Sequence, residues 1–299
     1  MKLLITGAAG QLGTELQRQL RAGGSALGAL PKALQSAQVA AVDIADADLT
    51  SLTETQALLQ REQPEVVFQC AAFTDVNGAE QKCDAAFAVN ALAARNVAMA
   101  CQQFSAKLVH VSTDYVFSGT GQRPFTEADM PAPASVYGRT KYLGEEYVKA
   151  FCTRWFVVRT SWLYGRVGNN FVKTILRLAG ERESLTVVND QYGNPTNAED
   201  LAHHLLKLAA TEEYGVYHCT GKGVCSWFDF ASEFVALAGK KGKILPCTTE
   251  EYEKMNPGAA KRPVNSALEH TMLRATVGDD MRPWQEAIQQ YIEEWEETP

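Results

Sequence analysis

Tyr137 and Lys141 are the residues with the most chemistry in them. They stand four apart in Tyr137-Gly138-Arg139-Thr140-Lys141, inside a run that reads as helix, so both side chains project from one face. A lysine ammonium beside a phenol favours the phenolate and draws its pKa down from about 10. A tyrosine tuned in this way can hand a proton to a carbonyl oxygen that is receiving a hydride. Upstream, Thr113 offers a hydroxyl where the apolar run 107–112 ends. Spacing of this kind is common in a chain this long, so its weight comes from the elements around it.

The first of these is a glycine turn. Lys2–Thr6 is a short apolar run that reads as a buried parallel strand. Gly7-Ala8-Ala9-Gly10-Gln11-Leu12-Gly13 follows at once, and Leu12, Leu16 and Leu20 then recur at helical spacing. Unpaired N–H groups and the helix dipole at such a junction suit a dinucleotide pyrophosphate. The glycines let backbone approach phosphate and let the helix pack on the sheet, although the spacing is G-x-x-G-x-x-G rather than G-x-G-x-x-G.

The second is alternation. Residues 38–43, 65–69, 107–112 and 155–160 read as strands, with helical patterns over 52–61, 84–104 and 135–151 between them. Strand–helix alternation predicts an α/β fold, a doubly wound parallel sheet of Rossmann type. Ligands bind such sheets at the carboxyl ends of the strands, where Gly7, Asp43, Ala71, Ala72 and Thr113 fall. Residues 22–38 read as a loop. Past Gly165 the alternation loosens into helices at 198–210, 226–238 and 283–296 and short strands at 185–188 and 216–219.

These motifs carry a resemblance. The chain resembles the extended short-chain dehydrogenase/reductases, and within them the dTDP-4-dehydrorhamnose reductase family. The resemblance rests on Thr6 to Gly13, Ala71-Ala72-Phe73-Thr74-Asp75-Val76, Asn90-Ala91, Ser112-Thr113-Asp114-Tyr115-Val116-Phe117 and the Tyr137–Lys141 stretch. It continues through Arg159-Thr160-Ser161-Trp162-Leu163-Tyr164-Gly165, Asp190 to Thr196 and Lys261 to Leu268, in the family's order.

The resemblance implies roles. Thr113 would hydrogen-bond the substrate carbonyl, Tyr137 would donate the proton, and Lys141 would lower the tyrosine pKa and hold the nicotinamide ribose. Asn90 would order its helix and a proton-relay water. Gly7, Gly10, Gln11, Leu12 and Gly13 would follow the pyrophosphate, Asp48 and Leu49 the adenine, and Ala71, Ala72 and Thr74 the second half of the dinucleotide. Asp43 would accept from the adenosine ribose. An acid there repels a 2′-phosphate and leans towards NADH, whereas the family is usually NADPH-linked, so either cofactor is expected. Asp114, Tyr115, Trp162 and Arg262 would contact the sugar nucleotide. Residues 1–165 would form the dinucleotide-binding domain and 166–299 a smaller, mainly substrate-binding lobe with segments returning to the Rossmann core.

The implied reaction is reduction of a dTDP-4-keto-6-deoxy-hexose, dTDP-4-dehydro-L-rhamnose, to dTDP-L-rhamnose by NAD(P)H. A reductase of another nucleotide 4-keto sugar is one alternative. A non-catalytic regulator resembling the regulatory subunit of methionine adenosyltransferase is another. Turnover of NAD(P)H, against co-purification with a partner enzyme, separates enzyme from regulator.

Composition agrees. The 299 residues can hold a large core, and a net charge of −7 speaks against a nucleic-acid surface. No run is apolar enough to span a bilayer, and Met1-Lys2 leads straight into the first strand, so no signal peptide and a cytoplasmic location are expected. Seven scattered cysteines without C-x-x-C spacing favour reduced thiols. No resident metal is expected. A Mg2+ at a homodimer contact occurs in some family members, and Glu15 fits one such acidic position but reads as a solvated charge on an exposed helix.

Overall fold

The computed structural model describes residues 1–258 and 260–296, so residues 259 and 297–299 of the lobe expected over 166–299 lie outside the described residues. Six strands form the central sheet: β1 (Lys2–Thr6), β2 (Gln38–Val42), β3 (Val66–Gln69), β4 (Lys107–Thr113), β5 (Trp155–Thr160) and, after β6 (Ser184–Val188), β7 (Gly215–His218). Their order is β7-β5-β4-β3-β1-β2, and every pair is parallel. From β1 the chain runs to β2 on one side and then to β3 on the other. The direction of winding reverses there, which opens a crevice between the carboxyl ends of β1 and β3.

Strand side chains alternate between faces, so each inner strand feeds two cores. Leu3 and Ile5, Val66 and Phe68, and Phe156 and Val158 enter one cluster with Leu12 and Leu16 of α1 (Gln11–Ala22). Leu4, Val67, Leu108 and Val157 enter the other, with Leu58 and Leu59 of α2 (Leu52–Glu62) and Ala94 and Val97 of α3 (Ala93–Gln103). A sheet covered on both faces needs near-continuous apolar strands, which is what the sequence shows.

The segment between β3 and β4 departs from the single helix expected over 84–104. Cys83–Phe87 is α-helical, Ala88–Leu92 widens into a π-turn, and α3 follows. The stretch expected as a loop over 22–38 contains structure of its own. Gly23 closes α1 in the left-handed region, Gly24–Ser25 pairs with Gly28–Ala29, and Leu30 and Leu34 anchor it in the core.

α4 (Val136–Phe151) precedes β5. Beyond β5 lie α5 (Phe171–Glu181), α6 (Ala198–Ala209), α7 (Trp227–Leu237), β8 (Lys243–Cys247) and α8 (Trp284–Glu296). α5, α7, α8 and the parallel pair β6–β8 share a separate apolar cluster. The short strand expected at 216–219 lies elsewhere: as β7 it is an edge of the central sheet. α6 packs with α1 over that sheet, since Leu201 and Leu205 share its core. All seven cysteines are unpaired thiols. No helix among the described residues is long and apolar enough to cross a membrane.

Candidate active site

The crevice opens into one cavity of about 790 Å³, lined by every cofactor, catalytic and substrate candidate named from the sequence except Asn90. Its floor is the glycine turn. Gly7 has φ +65°, and a Cβ there would lie 2.7 Å from the Ala71 nitrogen, so only glycine lets the exits of β1 and β3 touch. Gly10 sits at the amino end of α1, where no side chain caps the helix. The first-turn N–H groups keep their capacity for an anion. Asp43 stands one residue past β2. Its Oδ2 accepts from the Ala9 N–H at 3.0 Å and its Oδ1 from its neighbour Ile44 N–H at 2.9 Å, which ties the acid to the glycine turn. Asp48 accepts from the Thr50 N–H at 2.8 Å and hydroxyl at 2.7 Å.

Thr113 ends β4, and the chain turns through a short 3-10 segment, Asp114–Val116. α4 runs beside that turn because residue 138 is glycine: a Cβ there would lie 2.2 Å from the Tyr115 carbonyl oxygen. Ser135 caps α4, accepting from the Gly138 N–H at 3.1 Å. Tyr137 is thereby brought beside Thr113 on the cavity wall and packs edge-on against Tyr115 with ring centroids 5.6 Å apart.

The electrostatics differ from the expectation. Burial pushes the Tyr137 phenol up to about 12; the Thr113 hydroxyl opposes that and Asp114 adds to it. Lys141 does not lower it here. Its Nζ donates to the Val111 carbonyl at 2.7 Å, and burial draws the ammonium down to about 8 against the pull of Glu145 and Cys70. Desolvation is the first cause for both: Lys141 is buried and Tyr137 half-buried on the cavity wall, and each is pushed towards its neutral form. Asn90 is likewise committed. Its amide exchanges hydrogen bonds with the Phe73 N–H (2.9 Å) and carbonyl (3.1 Å) and donates to Thr140 Oγ1 at 3.1 Å. It fixes the loop after β3 and ties it to α4; both N–H donors of the amide are spent, and Oδ1 keeps one lone pair.

Trp162 follows β5 with a left-handed φ of +47°, a costly conformation for a large side chain. Its indole stacks on Trp227 with centroids 3.6 Å apart and 8° between planes, and Phe171 leans on Trp227 at 4.5 Å. Trp227 also lines the cavity, as does Asn170, whose Nδ2 donates to Gln11 Oε1 at 2.9 Å. Sequence reasoning missed both. The Ser226–Asp229 capping box that starts α7 was legible, but nothing in it says that Trp227 turns back onto Trp162. Arg262 lines the same wall, and its Nε is buried without a partner, a donor available to an anionic ligand.

Glu15 is not the solvated charge expected. It is 4% exposed. Arg18 holds it at 2.6 Å, and Gln19 donates to it at 3.0 Å. Arg18 and Arg166 also reach Glu199 of α6, at 2.7 and 3.5 Å. The α1–α6 contact buries this acid, so arginines neutralise it. His203 and His204 are engaged by Ser25 and by the Asp200 carbonyl. No group of metal-binding side chains occurs among the described residues.

Comparison with known proteins places this geometry. The model of the RmlD substrate binding domain matches residues 1–297. The spore coat polysaccharide biosynthesis protein SpsK of Bacillus subtilis is 39% identical over 293 residues, covering 98% of this chain and 97% of that protein. The crystal structure of a dTDP-4-dehydrorhamnose reductase from Clostridium acetobutylicum superposes with a TM-score of 0.92 at 43% identity, covering 99% of this chain and 100% of the other. That of the Bacillus anthracis enzyme of the same name, in complex with NADP, gives 0.90 at 42% identity and covers 98% and 99% of the two chains.

Proposed function

The chain belongs to the family of the RmlD substrate binding domain, and from that premise we propose that it is an NAD(P)H-dependent reductase that converts dTDP-4-dehydro-L-rhamnose to dTDP-L-rhamnose. The observation that carries the reading is the single cavity in which an uncapped glycine turn meets Thr113, Tyr137 and Lys141. The names of the solved relatives support the same substrate.

The bound dinucleotide supplies a hydride for C4 of the sugar. Gly7, Gly10, Gln11, Leu12 and Gly13 hold its pyrophosphate on the N–H groups of the turn, and Asp43 accepts from the adenosine ribose. Asp48 and Leu49 border the adenine; Ala71, Ala72 and Thr74 border the nicotinamide half. Lys141 spends one N–H on Val111 and keeps two for ribose hydroxyls.

Tyr137 gives its proton to the keto oxygen as that oxygen becomes an alkoxide. A phenol pushed up to about 12 is fully protonated at neutral pH, so the donor is loaded in every molecule. It still yields to an alkoxide, which is the stronger base. Thr113 hydrogen-bonds the same oxygen. Trp162, braced by Trp227, forms the wall beside the sugar with Asp114 and Tyr115, and Arg262 takes the diphosphate.

In this reading residues 1–165 form the dinucleotide-binding domain and residues 166–299 mainly the substrate lobe. The protein acts in the cytoplasm as a homodimer. Oxidation of NADH and NADPH against a panel of dTDP-, UDP- and GDP-linked 4-keto sugars tests the reading. Turnover with dTDP-4-dehydro-L-rhamnose above the rest is expected, and no turnover with any 4-keto sugar refutes it.

A further inference from the structure

Thr113 has one hydroxyl proton and more partners than that proton can serve. Its Oγ1 donates to Asp114 Oδ1 at 2.9 Å and accepts from the Tyr115 backbone N–H at 3.3 Å, and the Tyr137 side chain lies beside it on the cavity wall. A carboxylate accepts only. While Asp114 is ionised, the Thr113 proton is therefore spent on Asp114. In that arrangement Thr113 has no proton for a keto oxygen, and Tyr137 acts alone. A neutral Asp114 has a proton of its own to give to Thr113 Oγ1. Thr113 is then free to turn its proton into the cavity beside that of Tyr137.

We propose that Asp114 is a positioning residue whose protonation state sets the direction of the Thr113 hydroxyl, so that Thr113 joins Tyr137 in facing a keto oxygen only when Asp114 is neutral. The inference rests on the reading of the cavity as a ketoreductase site.

The surroundings of Asp114 fit a group that changes state near neutrality. Its side chain is 2% exposed, and its Oδ2 is buried without a hydrogen-bond partner. Burial pushes the carboxyl up to about 6, opposed by the Ser266 and Thr113 hydroxyls and by the backbone N–H groups of its own turn. The polar groups around it are Thr113 and Tyr115 on that turn, Tyr137 on α4 and Ser266 on the carboxyl-terminal segment, with the Arg262 guanidinium beside Tyr115. Asn90 cannot substitute as a donor, since its amide is committed to Phe73 and Thr140.

The sign follows. The aligned form predominates below the Asp114 pKa and is lost as pH rises through it. Removing one donor from a developing oxyanion costs about 10²-fold or more, and with Tyr137 still acting the loss here is on the order of tenfold. The test is kcat/KM for dTDP-4-dehydro-L-rhamnose at saturating cofactor, from about pH 5 to about pH 8, in wild type and Asp114→Asn. Wild type falls about tenfold across that range. In the variant an amide N–H can serve Thr113 at every pH, so its profile is flat within about twofold. A merely structural role would scale the rate equally at every pH. The same falling limb in the variant overturns the proposal.

Infrared spectroscopy of the free protein gives a readout that needs no turnover. A protonated-carboxyl band that titrates in wild type and vanishes in Asp114→Asn is expected, and its absence from wild type overturns the proposal. If wild type reduces no 4-keto sugar, the ketoreductase reading has failed, and the infrared titration alone decides the state of Asp114.

Discussion

Replacing Asp43 separates charge from geometry in the choice of cofactor. Its carboxylate is half-buried on the cavity rim, beside Ile44, which is 72% exposed. Two unit charges about 4 Å apart repel by about 1 kcal/mol in water and about 4 kcal/mol at an effective dielectric near 20. The exposure of the rim puts Asp43 towards the watery limit. A 2′-phosphate carrying between one and two charges then costs about 1–2 kcal/mol, a factor of roughly five to thirty in binding. Asp43→Ala removes that repulsion, but it also strips the Ala9 and Ile44 N–H groups of their acceptor and loosens the turn for both cofactors. Asp43→Asn removes the charge and keeps one of the two acceptors. The loss common to NADH and NADPH cancels in the ratio of their kcat/KM values, so the ratio is the quantity to measure. It moves roughly five- to thirtyfold towards NADPH in both variants, less as salt is raised. A ratio that stays put, or moves towards NADH, refutes the placement of Asp43 against the ribose.

Three further outcomes follow from the site. Tyr137→Phe keeps the ring and removes the proton, so kcat falls about 10²–10⁴-fold while NADPH still binds; steady-state rates and a fluorescence titration check both halves. Gly10→Val loses dinucleotide affinity with the fold intact, because a Cβ there meets only the Gly7 carbonyl oxygen, at 3.2 Å, and otherwise points into open space; titration and circular dichroism test it. Lys141→Met abolishes turnover yet raises Tm at pH 7. Burial holds the Lys141 pKa at about 8, below its unfolded value, so the charged form costs stability at lower pH, and that cost fades as pH rises from about 8 towards 10. The gain is on the order of 3 kcal/mol at pH 7 and shrinks above pH 8; thermal melts across that range measure it.

Much of this protein was legible in one dimension, wherever the determining physics is local. Apolar runs divided by helical periodicity identify β1 and β3 to β5, because a strand covered on both faces has no polar side to present; the edge strand β2 is apolar too, although most of it is exposed. The Gly7–Gly13 turn is read from spacing, since no other residue type lets backbone lie so close to backbone. Thr113, Tyr137 and Lys141 were legible because four residues make about one turn of helix and because Thr113 ends an apolar run.

Tertiary structure decided what contacts between distant segments decide. Glu15 is buried because α6, which lies more than 180 residues further along the chain, brings Glu199 and shares Arg18 and Arg166 with it. Trp227 joins the cavity wall only because the carboxyl-terminal lobe folds its helix onto Trp162. Asn90 is drawn to Phe73 by a π-turn that no helical period announces. The proton inventory is the plainest case. A lysine four residues from a tyrosine predicts a lowered phenol pKa, but the ammonium turns to Val111 and the surrounding protein desolvates the ring, so the phenol rises instead. Spacing sets which groups can meet; the dielectric and the competing partners at the meeting point exist only in the folded chain.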